Sequence, residues 1–149
     1  MKVSKKSEYA VRALVEMTLH TRSSNCEWRQ ISTIAEATGI PEKYLEQILL
    51  NLKKGGLLKS RRGIEGGYAL NVNPTEISIH NIFELLEGTE TFTTTSNNKE
   101  DATSQIFGDI IRRATQASYE ILNHCSLEEM SNQVSQLRSK QKDIIEYHI

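Results

Sequence analysis

Lys43, Glu46 and Gln47 share one face of a helical run, and Arg61, Arg62, Gly66, Gly67 and Tyr68 follow close behind it. Lysine can donate to guanine O6 and N7, glutamine can pair with adenine, and glutamate can accept from cytosine N4. Arginines neutralise phosphates or enter a narrow minor groove. Such a set reads the edges and backbone of a duplex and forms no covalent bond. The sequence has no phosphate-cradling glycine loop, nucleophile elbow, paired acidic site or Cys/His dyad at a recognisable spacing, so no enzyme is expected. His20, His80, His124 and His148 are dispersed and form no ligand pattern, so no metal is expected.

Holding those side chains in place requires a particular order of elements. Ser4 caps a first helix from about Lys5 to His20, with Ala10, Ala13, Leu14 and Met17 at helical spacing. A loop, RSSNCEW, leads to a second helix over Ile31 to Thr38. Gly39 releases the chain into a turn, and Pro41 opens a third helix that runs to about Lys54, where Gly55-Gly56 ends it. Tyr44, Leu45, Ile48, Leu49 and Leu52 form its buried stripe. Ala35 must be small where the two helices touch, and Ile40 anchors the second of them. Leu57 to Arg61 and Tyr68 to Val72 read as two short strands around a glycine-rich tip. The unit is a helix-turn-helix with a wing, the arrangement that presents a helix to a DNA groove.

Beyond the wing, Ser78 caps a short helix from about Ile79 to Glu87 that Gly88 stops. GTETFTTTSNNKEDATS is polar and aperiodic, a linker or loop. A long helix is expected from about Thr103 to Asn123. Its wide apolar band, Ile106, Phe107, Ile110, Ile111, Ala114, Ala117, Ile121 and Leu122, is a partner surface, because a helix of ~30 Å outreaches what a domain this small can cover. Ser126 to Glu129 reads as a capping box opening a further helix, and LRSKQKDIIEYHI as a tail. The expected division is 1–88 for the winged helix-turn-helix, 89–102 for the polar loop, 103–136 for the long and following short helices, and 137–149 for the tail. The fold class is mainly α with a small β wing.

The chain of 149 residues is uneven in charge. Residues 1–72 hold twelve Lys/Arg against seven Asp/Glu, a balance of +5, and residues 73–149 hold six against twelve, a balance of −6. A basic half suits a polyanion and an acidic half points elsewhere. Cys26 and Cys125 are far apart and fit a reducing compartment better than a disulfide framework. No stretch approaches the ~20 apolar residues of a membrane span, and the charges in MKVSKKSEYAVRALVEM do not suit a signal peptide. A cytoplasmic protein is expected.

SKKSEYAVRAL, IAEATGIPEKYLEQIL, LKKGGLLKSRRG with the following GGYAL, and ISIHNIFELLEG together resemble the Rrf2 family of bacterial transcription regulators over roughly residues 1–136. YLEQ on the third helix with RG, two residues, then GGY in the wing is the specific part. The resemblance implies a homodimer whose long helices cross, double-stranded DNA as partner, a palindromic operator and a repressor. It makes the apolar band the dimer interface. It brings Lys5, Lys6 and Tyr9 to the phosphates, counts Tyr44 with the DNA-facing residues, and makes Glu46 a candidate discriminator between operator classes. Two departures stand out. Many members hold an iron–sulfur cluster on three closely spaced cysteines, whereas residues 89–108 here contain neither Cys nor His, which implies a cluster-free branch without a cofactor. The wing tip reads Gly63-Ile64-Glu65-Gly66-Gly67-Tyr68 where Gly-Pro-Gly-Gly-Gly-Tyr is common.

Several roles stay open on sequence alone. Glu46 reads a base or sits in solvent with a lysine. Arg61 faces DNA or the other side of its strand. Gly66 and Gly67 let the backbone approach DNA or make the turn, and Tyr68 meets a phosphate or the core. Trp28 is expected in the core, Cys26 on the surface and Cys125 as a small buried hydrophobe. The competing function is a winged-helix module that binds a partner protein, and a small-molecule or protein effector acting near the 89–103 loop is a third reading.

Overall fold

The computed structural model describes residues 3–88 and 101–148. Among them the chain forms α1 (Lys5–Ser24), α2 (Ile31–Thr38), α3 (Glu42–Lys54), β1 (Leu58–Arg61), β2 (Gly67–Leu70), a 3-10 turn (Pro74–Glu76), α4 (Ile79–Glu87), α5 (Ala102–His124) and α6 (Leu127–Tyr147). The fold is mainly α with one antiparallel β1–β2 ribbon, in register from Leu58 opposite Leu70 to Arg61 opposite Gly67.

α1 is the central rod. Ser4 caps it by accepting from the Ser7 N–H at 3.2 Å, and Asn25, at φ 56°, ends it one turn later than the expected His20. Its buried residues, Ala10, Val11, Ala13, Leu14, Val15 and Met17 among them, cover a wide face because α2, α3, α4 and α6 all pack on it. Leu45, Ile48, Leu49 and Leu52 of α3 meet Leu14, Ile34 and Ile82 in one core. Burying each such side chain contributes about 1.5–3 kcal/mol. The Ser4 and Ser7 hydroxyls both donate to the Glu87 carboxylate at the end of α4, the Ser7 bond at 2.5 Å. These bonds, with Ser4 the larger cause, hold the Glu87 carboxyl below its ordinary range.

α4 opens with a full capping box, in which Ser78 accepts from the Asn81 N–H while the Asn81 side chain accepts from the Ser78 N–H. At Ser126 the cap bond from the Glu129 N–H is made at 3.1 Å, without the reciprocal bond among the described residues. A short bridge joins the two caps: Ile79 N–H donates to Cys125 O at 2.9 Å and Leu127 N–H to Ile77 O at 2.8 Å. It joins the end of α5, which packs on α4, to the start of α6, which returns along α1. There Arg22 pairs with Glu128 at 2.5 Å and Arg138 pairs with Glu16.

The 137–149 stretch is not a tail as far as Tyr147; it continues α6. The expected polar loop over 89–102 lies outside the described residues up to residue 100, and Asp101 caps α5 by accepting from Ser104 N–H at 2.9 Å.

Candidate nucleic-acid interface

The turn between α2 and α3 is built on Gly39, at φ 69°, whose N–H donates to Ala35 O at 2.8 Å. Ile40 is buried beneath the turn, and Pro41, expected as the first helical residue, is instead the N-cap of α3, which begins at Glu42. α3 therefore leaves the turn with Leu45, Ile48, Leu49 and Leu52 facing the core and Lys43, Glu46 and Gln47 exposed. Among the described residues neither Lys43 nor Gln47 makes a hydrogen bond or ion pair, so both side chains are available to a ligand.

Tyr44 corrects the expected stripe. It is 42% exposed and meets Tyr9 edge-on, with ring centroids 5.7 Å apart. The first turn of α3 projects past the core, so its helical phase alone does not bury it. Tyr9 in turn lies under two cations, Lys5 at 6.0 Å and Arg12 at 5.5 Å from the ring centroid. Arg12 went unnoticed in the sequence, although it lies one helical turn after Tyr9; its guanidinium also reaches Glu8 at 2.9 Å and Thr38 O at 3.4 Å. Lys5 pairs with Glu8 at 2.8 Å; this hydrogen bond lowers the Glu8 pKa and raises that of Lys5. The pair is solvent-exposed, so a phosphate can compete for the lysine. Lys6 lies elsewhere: its ammonium approaches Leu86 O at the end of α4 at 3.5 Å.

The wing is more firmly tied than its sequence suggests. Arg29 bridges to Tyr68, each N–H donating to the other's carbonyl at 2.9 Å, so the ribbon carries one residue of a third strand. Side chains add to the bridge. Gln30 donates to Ile64 O at 2.7 Å, and the Arg29 guanidinium donates to Glu16 O at 3.1 Å and Thr33 O at 3.5 Å. Trp28 is half-buried and lies outside the core. Arg61 and Lys59 stand over its ring at 4.6 and 5.3 Å, positions two apart on one face of β1.

These ties divide the wing candidates. Arg61 is engaged within the wing, stacked on Trp28 and donating to Glu65 O at 2.6 Å. Arg62 is exposed and makes no hydrogen bond or ion pair among the described residues. A methyl group on Gly66 would overlap Arg61 O, and one on Gly67, at φ 131°, would overlap Arg29 O. Both glycines thus have a packing reason within the fold. Tyr68 is half-buried against the core; burial, then the Glu46 carboxylate, pushes its phenol pKa up. Cys26 is exposed, and Cys125 is half-buried, its thiol pKa raised chiefly by burial.

This geometry is shared with known proteins. A family profile described as Rrf2, iron-dependent transcriptional regulator, matches residues 3–133. The chain belongs to the Rrf2 family. The HTH-type transcriptional regulator IscR of Vibrio cholerae is 31% identical to it over 150 residues, 95% of this chain and 82% of that protein. An rrf2-like regulator of Rhodobacter capsulatus is 36% identical over 86 residues, 58% of this chain, and the match spans only 57% of that relative. Among solved structures, CymR, the global cysteine regulator of B. subtilis, superposes with a TM-score of 0.74 at 28% identity, covering 89% of this chain and 98% of CymR. IscR of T. potens gives 0.70 at 28% identity, covering 90% and 88%. The winged-helix fold of Rrf2 regulators is thereby shown for this chain, and these relatives are transcription regulators.

Proposed function

We propose that this Rrf2 member is a sequence-specific DNA-binding regulator that recognises a palindromic operator as a homodimer and represses transcription in the cytoplasm. The observation that carries the reading is α3 itself: one face buried, the other offering Lys43, Glu46 and Gln47, with the wing's Arg62 exposed and unpaired among the described residues. Phosphate contacts from Lys5, Arg12 and Arg62 would fix orientation, and the α3 side chains would read bases.

The dimer rests on α5. It buries none of its residues in its own chain, and Ile106, Phe107 and Ile110 are 60%, 64% and 55% exposed. A contiguous apolar band of this kind marks a contact surface. Ala114, Ala117 and Ile121 extend it; Ile111 is half-buried, and Leu122 packs partly on its own core. Beside Leu122 opens a groove of about 420 Å³ lined by Val11, Val15, Phe83, Met130 and Val134. A second copy placing its α5 there would bury band and groove together by two-fold symmetry. Two α3 helices would then meet successive major grooves. No helix among the described residues is long and apolar enough to cross a membrane.

The family description names iron, and the donor set here does not fit an iron–sulfur cluster. Such clusters need several thiolates. The chain has two cysteines: Cys26, in the loop after α1, and Cys125, between α5 and α6, where burial disfavours the thiolate. We therefore propose that the chain is a cluster-free member that responds to some other small-molecule or protein signal. Selection of duplexes from a random pool by the purified chain tests the main reading. A two-fold symmetric consensus supports it, and failure to enrich any sequence contradicts it.

A further inference from the structure

The wing tip holds its backbone from three sides. Gly66 N–H donates to Gly63 O at 3.0 Å and closes the turn. Gln30 reaches across from the start of α2 to take the Ile64 carbonyl at 2.7 Å, and Arg61 takes the Glu65 carbonyl at 2.6 Å. Gln30 is the N-cap residue of α2, yet its side chain makes no cap bond; it holds the tip instead. On that pinned turn stands Ile64, 92% exposed, the most exposed large hydrophobic among the described residues. A single exposed aliphatic residue is ordinary on a helix surface. Here the turn's backbone is already held by Gln30 at the start of α2 and by Arg61 of the wing's own strand, so little backbone entropy is lost when Ile64 docks.

We propose that Ile64 is a specificity-determining residue of the wing, making an apolar contact with the minor groove beside Arg62. This rests on the DNA-binding reading above. A branched aliphatic chain carries no donor or acceptor and cannot hydrogen-bond to the base edges that the minor groove presents. It packs against sugars or wedges at a step that unstacks easily, as apolar minor-groove side chains do. Pyrimidine–purine steps deform readily, whereas A-tracts are stiff, with a narrow groove of enhanced negative potential. Glu65, next to Ile64, adds a carboxylate that such a groove repels. Ile64 and Glu65 together select a deformable, wider groove under the wing and disfavour an A-tract.

The test uses the full chain and the duplex recovered by selection, with the base pairs protected by the wing in a hydroxyl-radical footprint replaced by a TA step or by an A-tract. Binding is followed by fluorescence anisotropy across a salt series for wild type, Ile64→Ala, Ile64→Val and Arg62→Ala. The wild type should prefer the TA duplex by about fivefold or more, the scale of a single disfavoured base pair. Ile64→Ala should lose most of that preference with an unchanged salt slope, and Ile64→Val should keep most of it. Arg62→Ala should lower the slope by about one while keeping the step preference. A step preference that survives in Ile64→Ala, or a salt slope that falls with it, overturns the proposal alone. A wild type that binds no duplex overturns the DNA reading and this proposal with it. Ile64 is almost wholly in solvent, so its variants should fold as the wild type does, with far-UV circular dichroism as the check.

Discussion

Gly67→Ala should damage the wing through the Arg29 bridge, independently of DNA. The added methyl would overlap the Arg29 carbonyl, and φ at this position is 131°. The overlap is relieved by opening the bridge, which loses two hydrogen bonds of 2.9 Å, worth about 1 kcal/mol each net. Holding a non-glycine residue at that φ adds strain of about 1–3 kcal/mol. Strain and bridge loss add, so the expected loss is about 3–5 kcal/mol. Gly63→Ala is the internal control, since Gly63 also has a positive φ (106°) but has open space around it; it should carry the strain alone. Urea unfolding of both variants, with amide exchange at Tyr68 and Arg29, separates the two contributions. Gly67→Ala should be about 2 kcal/mol less stable than Gly63→Ala, with lost protection at both amides. Equal stability of the two variants, or unchanged protection at Tyr68, would refute the reasoning.

Three further outcomes follow from the same contacts. If the proposed dimer forms through α5, the wild type should sediment as a dimer and Phe107→Glu with Ile110→Glu as a monomer of unchanged helicity; a variant that still dimerises would move the interface away from α5. Trp28→Leu removes the ring beneath Arg61 and Lys59, each contact worth about 0.5–1 kcal/mol at an exposed site; faster exchange at Tyr68 is expected, and unchanged exchange would deny the brace. Glu87→Gln should destabilise at neutral pH. The folded pKa of Glu87 lies below its ordinary 4.5, so its contribution is complete above that value and fades as pH falls through the folded pKa. The gap between wild type and variant in denaturant midpoint should therefore narrow on acidification, and a gap constant with pH would remove Glu87 from the account.

Local signals made much of the fold legible. Ser4, Ser78 and Ser126 do cap helices, Gly39 and Gly88 do end them, and α2 and α4 have the expected limits, because caps and apolar period lie within a few residues of each other. What escaped was non-local or weakly patterned. Arg29 pairs with Tyr68 through a single bridge, too short to show strand alternation, so the sequence left Gly66 and Gly67 open between approaching DNA and making the turn. Trp28 invited a core assignment because a lone aromatic does not announce its partners; two cations on β1 claimed it. The last turns of α6 are exposed throughout, and their apolar residues Leu137, Ile144, Ile145 and Tyr147 face away from the core, so no buried stripe marks them as helix. Of the candidate site, Lys43, Glu46, Gln47 and Arg62 sit where their spacing placed them. Lys6 and Arg61 turn to other partners, and Arg12 joins the group through Tyr9.

The most direct test of the central idea is a repeat of the duplex selection with Lys43→Ala/Gln47→Ala beside the wild type. Both positions are exposed and without partners among the described residues, so the variant should fold normally. If this face of α3 reads bases, the variant should lose preference at a two-fold related pair of positions, by about 1–3 kcal/mol for each bidentate contact removed, while still binding DNA in low salt. An unchanged consensus would contradict the account and move recognition off α3.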